Sequence, residues 1–149
     1  MAHRQILYHI VFRTKYSENV IDLKYSEDLY KYIWGIIKNK NCHLYRINGM
    51  EDHIHILSDL HPSVALADFI KDIKIASSKW MKASGNFPRF KGWGKKYCAL
   101  TYSYKEKDIL INYIKNQREH HKRITFQEEI RKIFADHGID EDEVWFWKD

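Results

Sequence analysis

The sequence predicts an α+β protein of the ferredoxin-like kind, an antiparallel sheet with helices packed on one face. Three observations predict it. Strand-like and helix-like segments follow one another in the order β-α-β-β-α-β-α. Asn48-Gly49 marks a turn between two strand-like runs and joins them as a hairpin. The longest amphipathic stripe lies between the third and fourth strands, where a crossover helix belongs. At 149 residues, 44% apolar and 30% charged, the chain is one domain over 1–149, with 125–149 forming a C-terminal helix and tail.

The elements follow in order. Residues 5–14 are rich in β-branched and aromatic side chains and form the first strand. Asp22 caps a helix to about Asn39, with Leu29, Ile33, Ile36 and Ile37 on one side. Residues 43–48 and 51–60 are the second and third strands. Ser63 caps a long helix over about 64–83, whose stripe of Leu66, Phe69, Ile70, Ile73, Ser77 and Trp80 faces the sheet. Residues 84–96, with Gly85, Pro88, Gly92, Gly94 and several basic side chains, form a loop. Residues 97–104 are the fourth strand. Helices follow over about 105–122 and 126–137, the last closed by Gly138. The tail 140–147 is acidic and then aromatic. A sheet of this kind leaves its other face free.

The net charge of +5 is unevenly spread. Residues 71–123 carry 14 Lys and Arg against 4 Asp and Glu, whereas 124–149 carry 3 against 8. A central block this basic suits a polyanion, and 15% aromatic residues supply faces for unstacked bases. A solvated lysine surface is the plainer alternative. No segment approaches a membrane span, and Met1-Ala2-His3-Arg4-Gln5 lacks the apolar run of a signal peptide. Cys42 and Cys98 are too few for a disulfide framework and fit reduced, buried thiols. A cytoplasmic protein is expected.

His53-Ile54-His55 lies within the third strand, where side chains two apart share a face. Two neighbouring neutral imidazoles offer lone pairs to a divalent metal, although two polar residues on a wet strand face would look the same. Tyr113 and Gln117 stand four apart, on one face of the helix over 105–122. Taken singly, Tyr113 reads as a core tyrosine and Gln117 as a surface residue. Adjacent His120 and His121 diverge by roughly 100° on a helix and read as helix-end or DNA-facing residues.

Together these segments resemble the HUH single-tyrosine transposases of small bacterial insertion sequences that move as single-stranded DNA, and their relatives acting on dispersed palindromic repeats. The resemblance is carried by Tyr8-His9-Ile10-Val11-Phe12-Arg13-Thr14-Lys15-Tyr16, by 50–57 with the His pair, by Phe87-Pro88-Arg89-Phe90-Lys91-Gly92-Trp93, and by 113–121. Residues 126–147 are similar to the tail of the insertion-sequence branch. The chain departs from relatives at Ser17 and at Lys95-Lys96, outside the ligand set.

The resemblance implies metal ligands at His53, His55 and Gln117 and a nucleophile at Tyr113. It implies an open Mg2+ or Mn2+ site rather than a closed zinc site, and cleavage through a 5′-phosphotyrosine. The expected partner is single-stranded DNA folded into imperfect-palindrome hairpins, gripped by Arg13, Lys15, Arg46, Lys71, Lys74, Lys79 and Lys82. The resemblance further implies a homodimer with composite sites, in a bacterial cytoplasm at the nucleoid. The competing reading is a non-catalytic hairpin-binding descendant of such a transposase. A small metal-dependent hydrolase using the His pair alone ranks third, because Asp52 should point to the opposite strand face.

Overall fold

The computed structural model describes residues 3–140 and 143–149. Met1 and Ala2, and Glu141 and Asp142 of the expected acidic tail, lie outside the described residues. Four strands form one sheet: β1 (Leu7–Arg13), β2 (Leu44–Gly49), β3 (His53–Ser58) and β4 (Cys98–Tyr102). Their order is β2-β3-β1-β4, and every neighbouring pair is antiparallel. The expected α+β sandwich is the observed fold.

Strand alternation sorts the side chains into two layers. Ile10 and Phe12 of β1 and Ile54 and Ile56 of β3 point to one face. There they pack with Leu29, Ile33 and Ile37 of α1 (Ser26–Asn39) and with Phe69, Ile70, Ile73 and Met81 of α2 (Leu66–Ser84). The opposite face, expected to be free, is covered by α3 (Lys107–Lys115), α4 (Gln117–His120), α5 (Phe126–Asp136) and the C-terminal tail. Val11, Cys98 and Leu100 meet Phe126, Ile130, Ile133 and Phe146 there, while Leu57 meets Leu110 and Ile114. The apolar residues of the last two helices needed a surface to bury against, and this face supplies it.

Local chemistry explains where elements begin and end. Asp22 does not cap α1: its carboxylate accepts from the Lys24 amide and caps a 3-10 turn over Leu23–Tyr25, and α1 then starts from Tyr25 without a side-chain cap. Ser63 is not the cap of α2, which starts from Ala65; its hydroxyl and amide engage His61 instead. The helix expected over 105–122 breaks at Asn116. There the Asn48 side-chain amide, reaching over from β2, donates to the Ile114 and Lys115 carbonyls at 3.1 and 3.0 Å and satisfies the last turn of α3. Thr125 and Glu128 form a reciprocal capping box that starts α5.

Two backbone features set the His pair. At the β2–β3 turn the Met50 amide donates to the His53 carbonyl at 3.0 Å. A Cβ at Gly49 would lie 2.2 Å from that oxygen, so only glycine allows the strands to close just before His53. The loop over 85–97 is tied to the end of β1, with Lys15 donating to Gly92 and Gly94 to Arg13. Both cysteines are free and buried, and burial pushes the Cys98 thiol up to about 11.

Candidate active site

His53 and His55 occupy the second face of β3, and both are fully buried. Each imidazole is held by its Nδ1. His53 Nδ1 lies 2.7 Å from the Asp52 carboxylate, and His55 Nδ1 lies 2.8 Å from His9 Nε2 on β1. Asp52 reaches its neighbour because β3 begins only at His53, so strand alternation does not govern the residue before it. His9 stands opposite Leu57, which makes it the diagonal cross-strand neighbour of His55. Phe126, the first residue of α5, stacks flat on the His53 ring at 3.6 Å between centroids.

The tyrosine helix completes the layer. Asn116 turns α3 into α4 and leaves Gln117 fully buried, with its Oε1 3.4 Å from His53 Nε2. Tyr113 is half-buried, its ring edge-on to His55 at 6.1 Å. Thus His53, His55, Gln117 and Tyr113, chosen from 53–117 of the sequence, meet at one place within a single chain.

A carboxylate that sequence reasoning missed sits at their centre. Glu129 of α5 is 1% exposed. Its Oε2 accepts hydrogen bonds from the Tyr113 hydroxyl and, at 2.8 Å, from Gln117 Nε2. Its Oε1 lies 3.0 Å from His121 Nε2, 3.2 Å from His55 Nε2 and 3.6 Å from His53 Nε2. His121, also set aside in the sequence, turns inward because its Nδ1 engages the Ile124 carbonyl at 3.1 Å. His120 is more exposed, with Nε2 3.7 Å from Glu129 Oε2. Glu129 was findable: it falls three residues after Phe126 and one before Ile130, on the apolar stripe of α5, where an ionised side chain needs partners.

The electrostatics follow from burial and crowding. Burial opposes ionisation of Glu129, but the imidazoles of His55, His121 and His53 outweigh it and hold the carboxyl well below its usual range. Burial depresses both His55 and His9. For His121, burial opposes charge, and the hydrogen bond and charge of Glu129 overcome it, so its pKa is raised. Burial and the negative Glu129 beside it push the Tyr113 phenol up. At rest this is a neutral phenol against a carboxylate.

His53, His55, His121 and Glu129 offer four donor atoms within 4.8 Å of one another, and this cluster could hold a metal ion. The donor chemistry fits: the Nε2 atoms of His53, His55 and His121 face one carboxylate oxygen, and the Gln117 carbonyl stands beside them.

The basic residues are scattered by comparison. Arg13 is fully buried, its Nη1 paired with Asp149 at 2.6 Å and its Nε donating to the Phe146 carbonyl. Its guanidinium pins the tail and does not meet solvent. Lys74 donates to the carbonyls of Gly94, Lys95 and Lys96, and burial lowers it to about 8. Lys71, Lys79 and Lys82 are exposed along a groove of α2 with Ile75 and Tyr97, on the side of the sheet away from the His pair. Lys15 sits over the Tyr16 ring, and Arg46 lines a groove with Trp34 and Tyr45.

The chain is 27% identical over 122 residues to the ISDra2 transposase TnpA of Deinococcus radiodurans, a match covering 77% of this chain and 86% of that one. A crystal structure of a candidate transposase from Deinococcus radiodurans R1 superposes with a TM-score of 0.61 at 27% identity, over 78% of this chain and 95% of that chain. A REP-associated tyrosine transposase bound to a REP hairpin shares the fold, with a TM-score of 0.59 at 12% identity over 83% and 76% of the two chains. Residues 2–117 match the family described as "Transposase IS200 like", a span that includes both histidines, the tyrosine and the glutamine but stops before α5. The chain belongs to the IS200-like transposase family.

Proposed function

We propose that the protein is a metal-dependent single-strand DNA transposase. It binds imperfect-palindrome hairpins at element ends, then cuts and rejoins single strands through a 5′-phosphotyrosine at Tyr113. One observation carries the reading: the Tyr113 hydroxyl lies on the same buried face as His53, His55 and Gln117, within the family-matched span. Mg2+ or Mn2+ held by His53, His55 and Gln117 would supply Lewis-acid polarisation of the scissile phosphate.

The chain's own residues do the rest. Tyr113 Oη attacks phosphorus and the P–O3′ bond breaks. The phenol's proton passes first to Glu129 Oε2, its hydrogen-bond partner. The departing 3′ oxygen takes up a proton and leaves as a free hydroxyl. The P–Oη bond keeps the reactivity of the phosphodiester, so a 3′-hydroxyl can reverse the step and rejoin DNA without ATP. Gln117 Nε2 and the Tyr113 hydroxyl share Glu129 Oε2, which keeps the nucleophile turned toward the His pair. Of the basic residues expected to grip DNA, Lys15, Arg46, Lys71, Lys79 and Lys82 remain available to phosphates, with exposed Trp34 and Tyr97 as base-stacking faces.

The test is a denaturing gel of the protein with single-stranded hairpin oligonucleotides and flanking sequence, in Mg2+ or Mn2+. A covalent protein–DNA band lost in Tyr113→Phe is expected. Binding with no adduct would favour the non-catalytic hairpin binder, and cleavage surviving Tyr113→Phe would favour the hydrolase. A homodimer that exchanges the tyrosine helix, so that the pairing of Tyr113 with His53 and His55 seen within one chain is made between two, belongs to the same proposal. Heterodimers of Tyr113→Phe and His53→Ala subunits should regain one working site, and persistent inactivity of verified heterodimers would count against it.

A further inference from the structure

We propose that Arg13 and the Tyr16 amide form a site for one backbone phosphate of the DNA strand, and that the Asp149 carboxylate fills it until DNA displaces the tail. The inference rests on the single-strand DNA reading above and adds a contact which that reading lacks. It returns Arg13 to the DNA grip in exchange for the tail.

Three observations carry it. The first is the chemistry of the cradle. Asp149 Oδ1 accepts from Arg13 Nη1 at 2.6 Å, and Oδ2 accepts from the Tyr16 amide at 3.0 Å. Arg13 Nε and Nη1 also donate to the Phe146 and Thr14 carbonyls, but Nη2 is buried without a hydrogen-bond partner among the described residues. A carboxylate whose second oxygen is taken by Tyr16 under-fills this guanidinium. A phosphodiester brings two charged oxygens and two ester oxygens, and the fork of an arginine matches it. The backbone of Gly94 closes over the pair: a Cβ there would lie 3.0 Å from Arg13 Nη1 and 3.3 Å from Asp149 Oδ1.

The second is backbone strain. Tyr16 and Ser17 are consecutive left-handed residues, with φ of 60° and 55°, and neither is glycine. Such residues persist where their surroundings hold them, and they gather at ligand clamps. Here the strained turn aims the Tyr16 N–H at the anion.

The third is position. Arg13 stands opposite His53 in the β1–β3 register, so its side chain leaves the same sheet face as the His pair. A strand with its scissile phosphate at Tyr113 and the His pair runs past Arg13 with a neighbouring phosphate. The tail lies across that path. Residues 124–149 carry 3 Lys and Arg against 8 Asp and Glu, and Trp147 packs on the Phe126 ring that covers His53. Asp149 is 18% exposed, which leaves the ion pair open to competition from solvent. A buried guanidinium is costly alone, so one anion replaces another and Arg13 stays paired throughout.

Binding of a labelled single-stranded hairpin oligonucleotide with flanking sequence is followed by fluorescence anisotropy over a salt series, without metal. Full-length wild type is compared with Asp149→Asn and with Asp149→Asn carrying Arg13→Gln. Asp149→Asn should bind at least threefold more tightly at low salt. Its plot of log K against log salt should be steeper by about 0.7, because a phosphate contact is gained with no internal ion pair lost. The double variant should lose both gains. In wild type, amide exchange over 143–149, where Phe146 and Trp147 donate to Glu143 and Val144, should accelerate when the oligonucleotide binds. That readout needs no variant and decides the matter if Arg13→Gln fails to fold. Inorganic phosphate at equal phosphate concentration should leave the tail protected, and release by it would overturn the assignment to a DNA strand. Wild-type affinity and slope in folded Asp149→Asn, with a tail that stays protected on DNA, would overturn the exchange and leave the DNA reading standing. Failure of wild type and both variants to bind the oligonucleotide would overturn both.

Discussion

Ile54 and His55 are adjacent on β3 and both have no solvent exposure, yet they belong to different kinds of interior. On the face of Ile54, the sheet meets α1 and α2 through aliphatic and aromatic side chains. On the face of His55, three inward-turned imidazoles, an amide, a phenol and a carboxylate satisfy one another, with buried Arg13 at the rim. The first interior is held chiefly by apolar burial, and a loss of volume there costs stability. The second is held by mutual pairing of polar groups, each of which would be costly alone in a dry site. Adjacent positions of one strand therefore divide stability from chemistry, and a one-residue slip of register would exchange the two.

Substitution on either side should separate the two properties. The largest effect expected is Tyr113→Phe: complete loss of the covalent DNA adduct on a gel, with stability lowered by about 1–3 kcal/mol because Glu129 loses one donor. Next comes Ile56→Ala on the other face, expected to cost about 2–5 kcal/mol by urea denaturation. Its folded fraction should still form the adduct. Adduct loss in folded Ile56→Ala would mean that the apolar layer shapes the site and that the division is false.

A smaller effect tests how the tail closes the polar face. Asp149→Asn removes the charge opposite Arg13, whose remaining hydrogen-bond acceptors are the Phe146 and Thr14 carbonyls. The expected loss is about 1–3 kcal/mol, below the roughly 3–5 of a fully buried pair because Asp149 is 18% exposed. Faster amide exchange over 143–149 than over β1 would localise the loss to the tail. An unchanged urea midpoint would show that Phe146 and its neighbours hold the tail without the ion pair.

The apolar face was legible from residue order, because alternation in 51–60 and the three-to-four spacing in 64–83 report burial directly. The His pair, Tyr113 and Gln117 were legible only through the family resemblance, since each has an ordinary structural explanation by itself. Glu129 left one trace, an ionisable residue on the apolar stripe of α5, whereas His121 was not legible because its links are tertiary. A cap from Asn48 breaks the helix, and the backbone of 121–124 then swings the His121 ring inward. Arg13 shows the same limit: a basic residue ending a strand looks like a surface contact until the tail folds back on it.

The smallest effect expected is a pH dependence arising on the polar face alone. Burial depresses His9 and His55, so the unfolded chain binds protons near pH 6.5 that the folded chain refuses. Their contribution is full above that pH and declines as pH falls toward the depressed folded values, by up to about 1.4 kcal/mol per pH unit for each residue. His121 has the opposite sign. Its raised pKa gives stability that is present below about pH 6.5 and lost as pH rises through the folded value. The depressed Glu129 contributes above about pH 4.3 and loses that contribution only in stronger acid, so it is silent in this window. Burial depresses the more exposed His120 beside Glu129 as well, and three imidazoles against one make the net change between pH 7 and 5.5 a loss. Metal-free protein should therefore show a lower urea midpoint at pH 5.5 with an unchanged slope, and His9→Phe should flatten the difference by one residue's share. A wild-type midpoint that rises on acidification would mean that the buried imidazoles carry charge, and that the polar face is held by ion pairs with Glu129 rather than by neutral rings.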